Sequence, residues 1–570
     1  MKNKVDLDNH DDASWWLIQK GVKAIFLSIS LFALLIRVAV SLHPYSGAGN
    51  SPKYGDYEAQ RHWMEITINL PAKDWYRNST TNDLNYWGLD YPPLTAYQSF
   101  VHGLLLKLFD PDSVSLFTSR GYESYFGKLL MRWTVLSSDV LIFFPAVFYF
   151  VLAYFSDNSR FRKRDIAWQI AILLINPCLI LIDHGHFQYN CISLGLTVGA
   201  IAAICTDKDL VGSFLFTLAL NHKQMSAYYA PAFFSHLLGK CMRRRKPIVE
   251  VLKLGVVVLG TFAIIWLPYL HSVDALLQGE DDNLFIYEIT SPLMRLLLAR
   301  CILESTPDIL HHNLQTHVLH QCLLHHAIRD QVMIFPLLFA KVLSRLAPFE
   351  RGLYEDYVAN FWCTTSVLIK WKRLFSVKLL KILSFTATLS TCLPSMLQQI
   401  RFPSNQGFLC GLLCSSFSFY LFSFQVHEKS ILLPLLPASM LALDEPSLFI
   451  HFLHYALLSM FPLVVRDKLV QAYLAIYALT FLIINALNNG KQKRGVFHSA
   501  GVLFGCCLFC SLILHVVYLV VRPPERYPFL FEAIIMLLCF SQFIFLLIFF
   551  NVKQWTLSKA VPQMHKQKLN

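Results

Sequence analysis

Charge is scarce in this chain. Only 15% of its 570 residues are Asp, Glu, Lys or Arg, while 55% are hydrophobic and 45 are phenylalanine. A soluble domain carries roughly 25% charged residues, so an ordinary soluble fold is a poor match. A removable leader is missing too. The first apolar run, 25–42, follows Lys20 and Lys23 with no small-residue cleavage site, and reads as an uncleaved signal anchor. No basic stripe with interleaved aromatics lies outside the apolar runs. The net charge of +12 therefore points to cytosolic loops of a membrane protein rather than to a nucleic-acid partner. The 14 cysteines sit mostly in apolar runs. Cys507 and Cys510 have CxxC spacing, but with Cys506 they lie mid-run and read as small apolar residues, not as a metal or redox pair.

What the chain has is apolar runs of about 17 to 25 residues, the length that crosses a hydrocarbon core about 30 Å thick. Lipid offers the backbone no hydrogen bonds, so such runs must be helices. The stretch 501–521 is broken only by Ser511 and His515 and exceeds a core helix of about 11–12 residues. An all-α polytopic membrane protein is the expected class.

Positive charge orients the spans. Arg160, Arg162, Lys163 and Arg164 form one cytosolic cluster, Arg243, Arg244, Arg245 and Lys246 a second, and Lys491, Lys493 and Arg494 a third. Lys566 and Lys568 resemble a dilysine retrieval signal of endoplasmic-reticulum membrane proteins, which works only in the cytosol; a solvated basic tail is the alternative. Counting inward from both ends gives about fourteen spans. The expected layout is a cytosolic N-terminus 1–24, a transmembrane module 25–272 with a lumenal loop 43–133, a lumenal loop 273–373, a second module 374–551, and a cytosolic tail 552–570. Segments 183–190, 221–224, 427–429 and 466–468 then share the lumenal face. Lys370 to Arg373 run against the charge rule there, and 358–370 is a candidate for entering the membrane and returning. Ionisable groups gathered at one surface suit chemistry on a lipid head group better than transport through the midplane. Asn78-Ser79-Thr80 is a glycosylation sequon in the first loop.

The polar constellations follow. The first loop contains Gly55-Asp56-Tyr57-Glu58-Ala59-Gln60-Arg61-His62-Trp63-Met64-Glu65, then Tyr86-Trp87-Gly88-Leu89-Asp90-Tyr91-Pro92-Pro93. Carboxylates hold sugar hydroxyls and aromatic rings pack on sugar faces. Asp56 and Asp90 are candidate general bases. The competing roles are a cap for a helix starting at Tyr57 and a turn residue. Asp183-His184-Gly185-His186 suggests either a metal site or hydrogen-bonding side chains closing a hairpin. His222 and Lys223 on one hairpin, with His427, Glu428 and Lys429 before another span, are natural partners for a lipid phosphate, against plain snorkelling of each lysine.

Taken together, these residues resemble a known family. The 55–66 and 86–97 motifs, with 183–190, 221–224, Arg351-Gly352-Leu353-Tyr354-Glu355-Asp356, 358–363 and Phe424-Gln425-Val426-His427-Glu428-Lys429-Ser430, closely resemble the dolichyl-phosphate-glucose glucosyltransferases of the N-glycan precursor pathway, over about residues 20–550. The resemblance implies a GT-C glycosyltransferase fold in the endoplasmic-reticulum membrane. It also implies an inverting, metal-independent mechanism with Asp56 as the base and no cofactor. Within the family the sequence looks like the branch adding the first glucose, in α-1,3 linkage, to the nonamannosyl dolichyl-pyrophosphate oligosaccharide. The paralogue adding the second glucose and a polyprenyl-lipid transporter are the alternatives. The partners implied are dolichyl phosphate glucose as donor, the lipid-linked oligosaccharide as acceptor, and the bilayer. Substrate contacts are expected from Glu58, Arg61, His62, Trp87, Asp90, Tyr91, Asp183, His184, His222, Lys223, Glu355, Asp356, His427, Glu428 and Lys429. One departure stands out. The family usually has a short connection between His271 and Arg351, whereas here about sixty further residues carry His311, His312, His317, His320, His325 and His326. This reads as a lineage-specific insertion or a gene-model artefact, with a metal-binding helix face as the alternative.

Overall fold

A computed structural model describes residues 8–52, 54–155, 163–270, 357–488 and 498–567. The His-rich stretch, Glu355 and Asp356 lie outside the described residues. Among those described, the regular structure is helical, with no strand. Six helical stretches among the described residues are long and apolar enough to cross a membrane: Gly21–Ser41, Tyr125–Phe155, Arg164–Phe187, Pro247–Tyr269, Val377–Arg401 and Leu530–Leu557. Several other expected spans are shorter, such as Asp209–His222 with 14 residues and Ala230–Cys241 with 12. At 1.5 Å per residue these reach only about 18–21 Å. Among the described residues, length and composition support six spans on their own, and a higher count draws on Val470–Asn488 and His498–Val520 as well as on shorter helices within the bundle.

The loop expected over 43–133 is largely helical. It contains Gly55–Asn69 and Pro93–Phe109, and the long apolar helix that follows begins at Tyr125, within the expected loop. The reason is local: Pro93 sits in the first turn, where a missing N–H costs nothing, and the motif residues pack inward against this pair of helices. The 358–370 segment contains a five-residue helix, Phe361–Thr365, capped by Asn360, whose side chain accepts from the Cys363 amide. Trp362 donates to the Phe422 carbonyl at 2.8 Å.

The interior is built on Asn190–Cys205, which packs on Asp209–His222 and Phe144–Phe155, and on Asn405–Phe422, which packs on Val377–Arg401, Leu432–Met440 and Leu530–Gln567. Polar bonds join the two halves. Gln169 donates to the Ser439 carbonyl at 2.8 Å, Asn176 to Ser439 Oγ at 3.2 Å, and Tyr229 to the Leu433 carbonyl at 2.6 Å. The outer face of Pro247–Leu270 exposes Leu252, Val256, Leu259 and Ile264, a surface suited to lipid. Cys506 and Cys510 also face outward, unpaired.

Candidate active site

Asp56 enters from the first turn of Gly55–Asn69. The chain bends sharply just before it, with φ of 57° at Tyr54 and 75° at Gly55. A Cβ at Gly55 would come within 2.8 Å of Ser46 Oγ and 2.9 Å of the Ser46 carbonyl oxygen. Both the conformation and the space require glycine. The helix therefore starts at Gly55 with no side-chain cap. This overturns the alternative role of Asp56 as cap of a helix starting at Tyr57. Gly55→Ala is expected to lower turnover about tenfold, because it displaces the following carboxylate by a fraction of an ångström; steady-state rates of purified protein would show it.

The Asp56 side chain is 25% exposed, and one oxygen carries its contacts. Oδ2 accepts from Lys429 Nζ at 2.6 Å and from Gln188 Nε2 at 2.5 Å, and lies 3.0 Å from His186 Nε2. Burial by itself pushes the carboxyl upward. The Lys429 ammonium and then His186 outweigh it and hold Asp56 well below the usual carboxylate range.

His186 and Gln188 reach this point because the Arg164–Phe187 span ends in a wide π-helical turn, Leu181–Phe187. Such turns recur at functional sites. The polar side chains of this turn diverge. Asp183 accepts from Asn190 Nδ2 and the Cys191 amide, both at 2.7 Å. His184 turns to Asp139, at 2.6 Å, which Arg37 also holds at 2.9 Å. Only His186 faces Asp56. Gln188 continues the network, since its Oε1 accepts from Lys223 Nζ at 3.2 Å. Lys223 donates as well to Asn190 Oδ1 at 2.6 Å and lies 5.0 Å above the Tyr91 ring. Burial lowers its ammonium to about 8, with Asp183 opposing.

Segments 43–133, 183–190, 221–224 and 427–429, expected on one face, thus meet around one carboxylate. In sequence order the expected site residues fall in two groups. Asp56, Tyr91, Lys223 and Lys429 belong to the partly open centre or its first neighbours. Asp90 is half-buried beside it, its carbonyl accepting from Gln224 at 3.2 Å. Trp87 is half-buried, and its carbonyl accepts from Trp63 at 2.8 Å. His427 is half-buried next to Lys429.

The second group is enclosed. Glu58, Arg61 and His62 are at most 2% exposed, so as placed they offer no surface to a sugar. Arg61 takes both Glu58 oxygens at 2.6–2.7 Å, Glu65 at 2.8 Å, and Ser113 and Ser119 at 2.8 and 2.7 Å. A buried charge needs such partners, and here they fasten the Asp56 helix to 113–121. Burial would raise Glu65, but His62 and Arg61 lower it to about 2. Asp183, His184 and His222 are likewise buried; His222 sits 3.3 Å from Gln98. Glu428 is buried and faces Arg466 at 3.4 Å. Asn78 is exposed.

Residues 33–280 and 284–550 match the ALG6, ALG8 glycosyltransferase family. The chain belongs to this family. It is 55% identical over 566 residues to an Arabidopsis thaliana protein named probable dolichyl pyrophosphate Man9GlcNAc2 alpha-1,3-glucosyltransferase, covering 98% of this chain and 94% of that one. A Dictyostelium discoideum protein of the same name is 39% identical, covering 94% and 95%. A Gallus gallus dolichyl pyrophosphate Man9GlcNAc2 alpha-1,3-glucosyltransferase is 38% identical, covering 92% and 95%. The ALG6, ALG8 match leaves only 281–283 between its two stretches, so most of the His-rich segment falls inside it. In this glycosyltransferase the residues that sequence reasoning passed over are Gln188, which bridges Asp56 to Lys223, and Asp467, which contacts His186 at 2.5 Å. Gln188 lay inside a noted motif. Asp467 sits in a plain Arg-Asp-Lys turn that carries no signal.

Proposed function

We propose that this enzyme transfers glucose from dolichyl phosphate glucose, in α-1,3 linkage, to lipid-linked Man9GlcNAc2 as its first glucose. The donor is β-linked and the product α-linked, so one in-line displacement inverts C1. Asp56 takes the proton of the mannose 3-hydroxyl while that oxygen bonds to C1 and the bond from C1 to the phosphate oxygen breaks. The departing dolichyl phosphate is already an anion and needs charge stabilisation rather than a proton. Lys429 supplies it, with His427 beside it and Lys223 behind Gln188. The observation carrying this reading is the 2.6 Å contact between the Asp56 carboxylate and the Lys429 ammonium at a partly open edge. That pairing has a chemical consequence. A carboxylate held low by a cation is a weak base. When the donor phosphate draws Lys429 toward itself, Asp56 loses that cation and becomes more basic as the donor arrives.

The reading includes a GT-C architecture of about fourteen spans, an active site on the lumenal side of the endoplasmic-reticulum membrane, and a cytosolic C-terminus. It is supported by the convergence of segments that charge placement assigns to one face, and by the names of the relatives. Asn78 is a proposed glycosylation site on that face.

The test is transfer by purified, reconstituted protein from synthetic donor to nonamannosyl and monoglucosylated acceptors. Transfer to the first alone is expected. Transfer to the second alone would assign the second-glucose reaction. Lipid movement that needs no donor sugar and survives Asp56→Asn would indicate a transporter. Chelators are expected to leave the rate unchanged; a loss restored by a divalent cation would return attention to the histidines.

A further inference from the structure

Asp467 follows the short Phe461–Arg466 helix and lies 281 positions from His186. It is not among the groups that the proposed reaction uses. Its carboxylate meets His186 Nδ1 at 2.5 Å, with a side chain only 3% exposed. The opposite ring nitrogen, Nε2, lies 3.0 Å from Asp56 Oδ2 and 3.1 Å from Lys429 Nζ. The backbone holds this geometry from both sides. Lys468 has φ of 60°, and the amides of Lys468 and Leu469 close back on the Val465 and Val464 carbonyls at 3.1 and 2.9 Å. Leu469 in turn packs on Gly185, where a Cβ would stand 2.9 Å from Leu469 Cδ1. Residues 467 and 469 thus grip 186 and 185.

The chemistry follows from the partners. Asp467 at Nδ1 and Asp56 at Nε2 are both carboxylates, so each ring nitrogen faces an acceptor and the ring carries a hydrogen on both. Nε2 then donates to Asp56 Oδ2 alongside Lys429. We propose that Asp467 is a positioning residue for the transfer reaction. By holding the His186 ring through Nδ1, it aims Nε2 at Asp56 Oδ2, and so fixes the carboxylate that faces the acceptor. This rests on the reading of Asp56 as the base.

Asp467→Asn in the full-length protein is the test. The amide nearly preserves shape but carries no charge, so it no longer supports a hydrogen on both ring nitrogens, and the bond from Nε2 to Asp56 weakens. Changing an orienting partner in this way has large effects where an imidazole serves a catalytic group. The expected result is kcat lower by about ten- to a hundredfold, with KM for donor and acceptor within about threefold and most of kcat recovered in Asp467→Glu. In a His186→Gln background, Asp467→Asn should add little further loss. The proposal is overturned by a kcat for Asp467→Asn within about threefold of the parent, by a Glu variant no better than the Asn one, by a loss confined to KM, or by fully additive losses. Titration with dolichyl phosphate glucose monitors folding. If the Asn protein does not fold, His186→Gln decides alone, and a kcat within about threefold of the parent overturns the idea. Asp56→Asn in the same assay separates the two readings. If it stays active, the base assignment fails; if it is inactive while Asp467→Asn is not, only the role of Asp467 fails.

Discussion

Asp56→Asn is expected to lower turnover more than about a hundredfold, the usual range for losing a general base. Asn keeps the size of the side chain and one acceptor oxygen, so the bonds from Gln188 and Lys429 to Oδ2 have a neutral substitute. The proton acceptor is lost, while the frame built by Arg61, Glu58 and Glu65 stays intact. Donor KM should stay level or fall, because the carboxylate no longer competes with the donor phosphate for Lys429. Steady-state kinetics with nonamannosyl acceptor would show the split. Turnover within about threefold of the parent would move the base to Asp90.

Lys429→Met should cost about a hundred- to a thousandfold in kcat, the range for removing one preorganised stabiliser of developing charge. It has a second signature in pH. In the intact enzyme, burial raises Asp56 but Lys429 and His186 hold it well below the usual carboxylate range. The base is therefore already ionised at ordinary carboxylate pH, and the acid limb of kcat/KM belongs below it. Methionine removes the largest lowering influence and leaves burial in place, so the carboxyl pKa rises. The acid limb of the residual activity should move to higher pH. An unmoved limb would mean that Lys429 does not set the ionisation of Asp56, even if the rate falls.

The membrane class was legible because hydrocarbon length leaves a direct mark on composition, and the six long apolar helices fall where apolar runs predict them. The count of fourteen was less legible. Helices such as Asp209–His222 are short, and hydropathy alone does not separate a short span from a helix enclosed by its neighbours. The helices within 43–133 were also underread. Their motif residues combine charge with aromatics and lack a clean apolar period, since their charges are neutralised inside by one another. For the same reason Glu58, Arg61 and His62, which look like sugar contacts in a string of polar letters, turn inward in the fold.

The chain's order of residues was enough to establish that this is a helical membrane protein, to offer Asp56 beside Asp90 as the base and Lys429 beside His427, His222 and Lys223 as phosphate partners, and to assign their segments to a shared face, because span length and loop charge are local properties. Tertiary structure alone decided that the two side chains touch at 2.6 Å, that Gln188 joins them to Lys223, and that Asp467 grips His186. Those contacts join positions tens to hundreds of residues apart. They depend on bends of positive φ, a π-helical turn and the packing of two helical halves, none of which leaves a periodic trace in sequence.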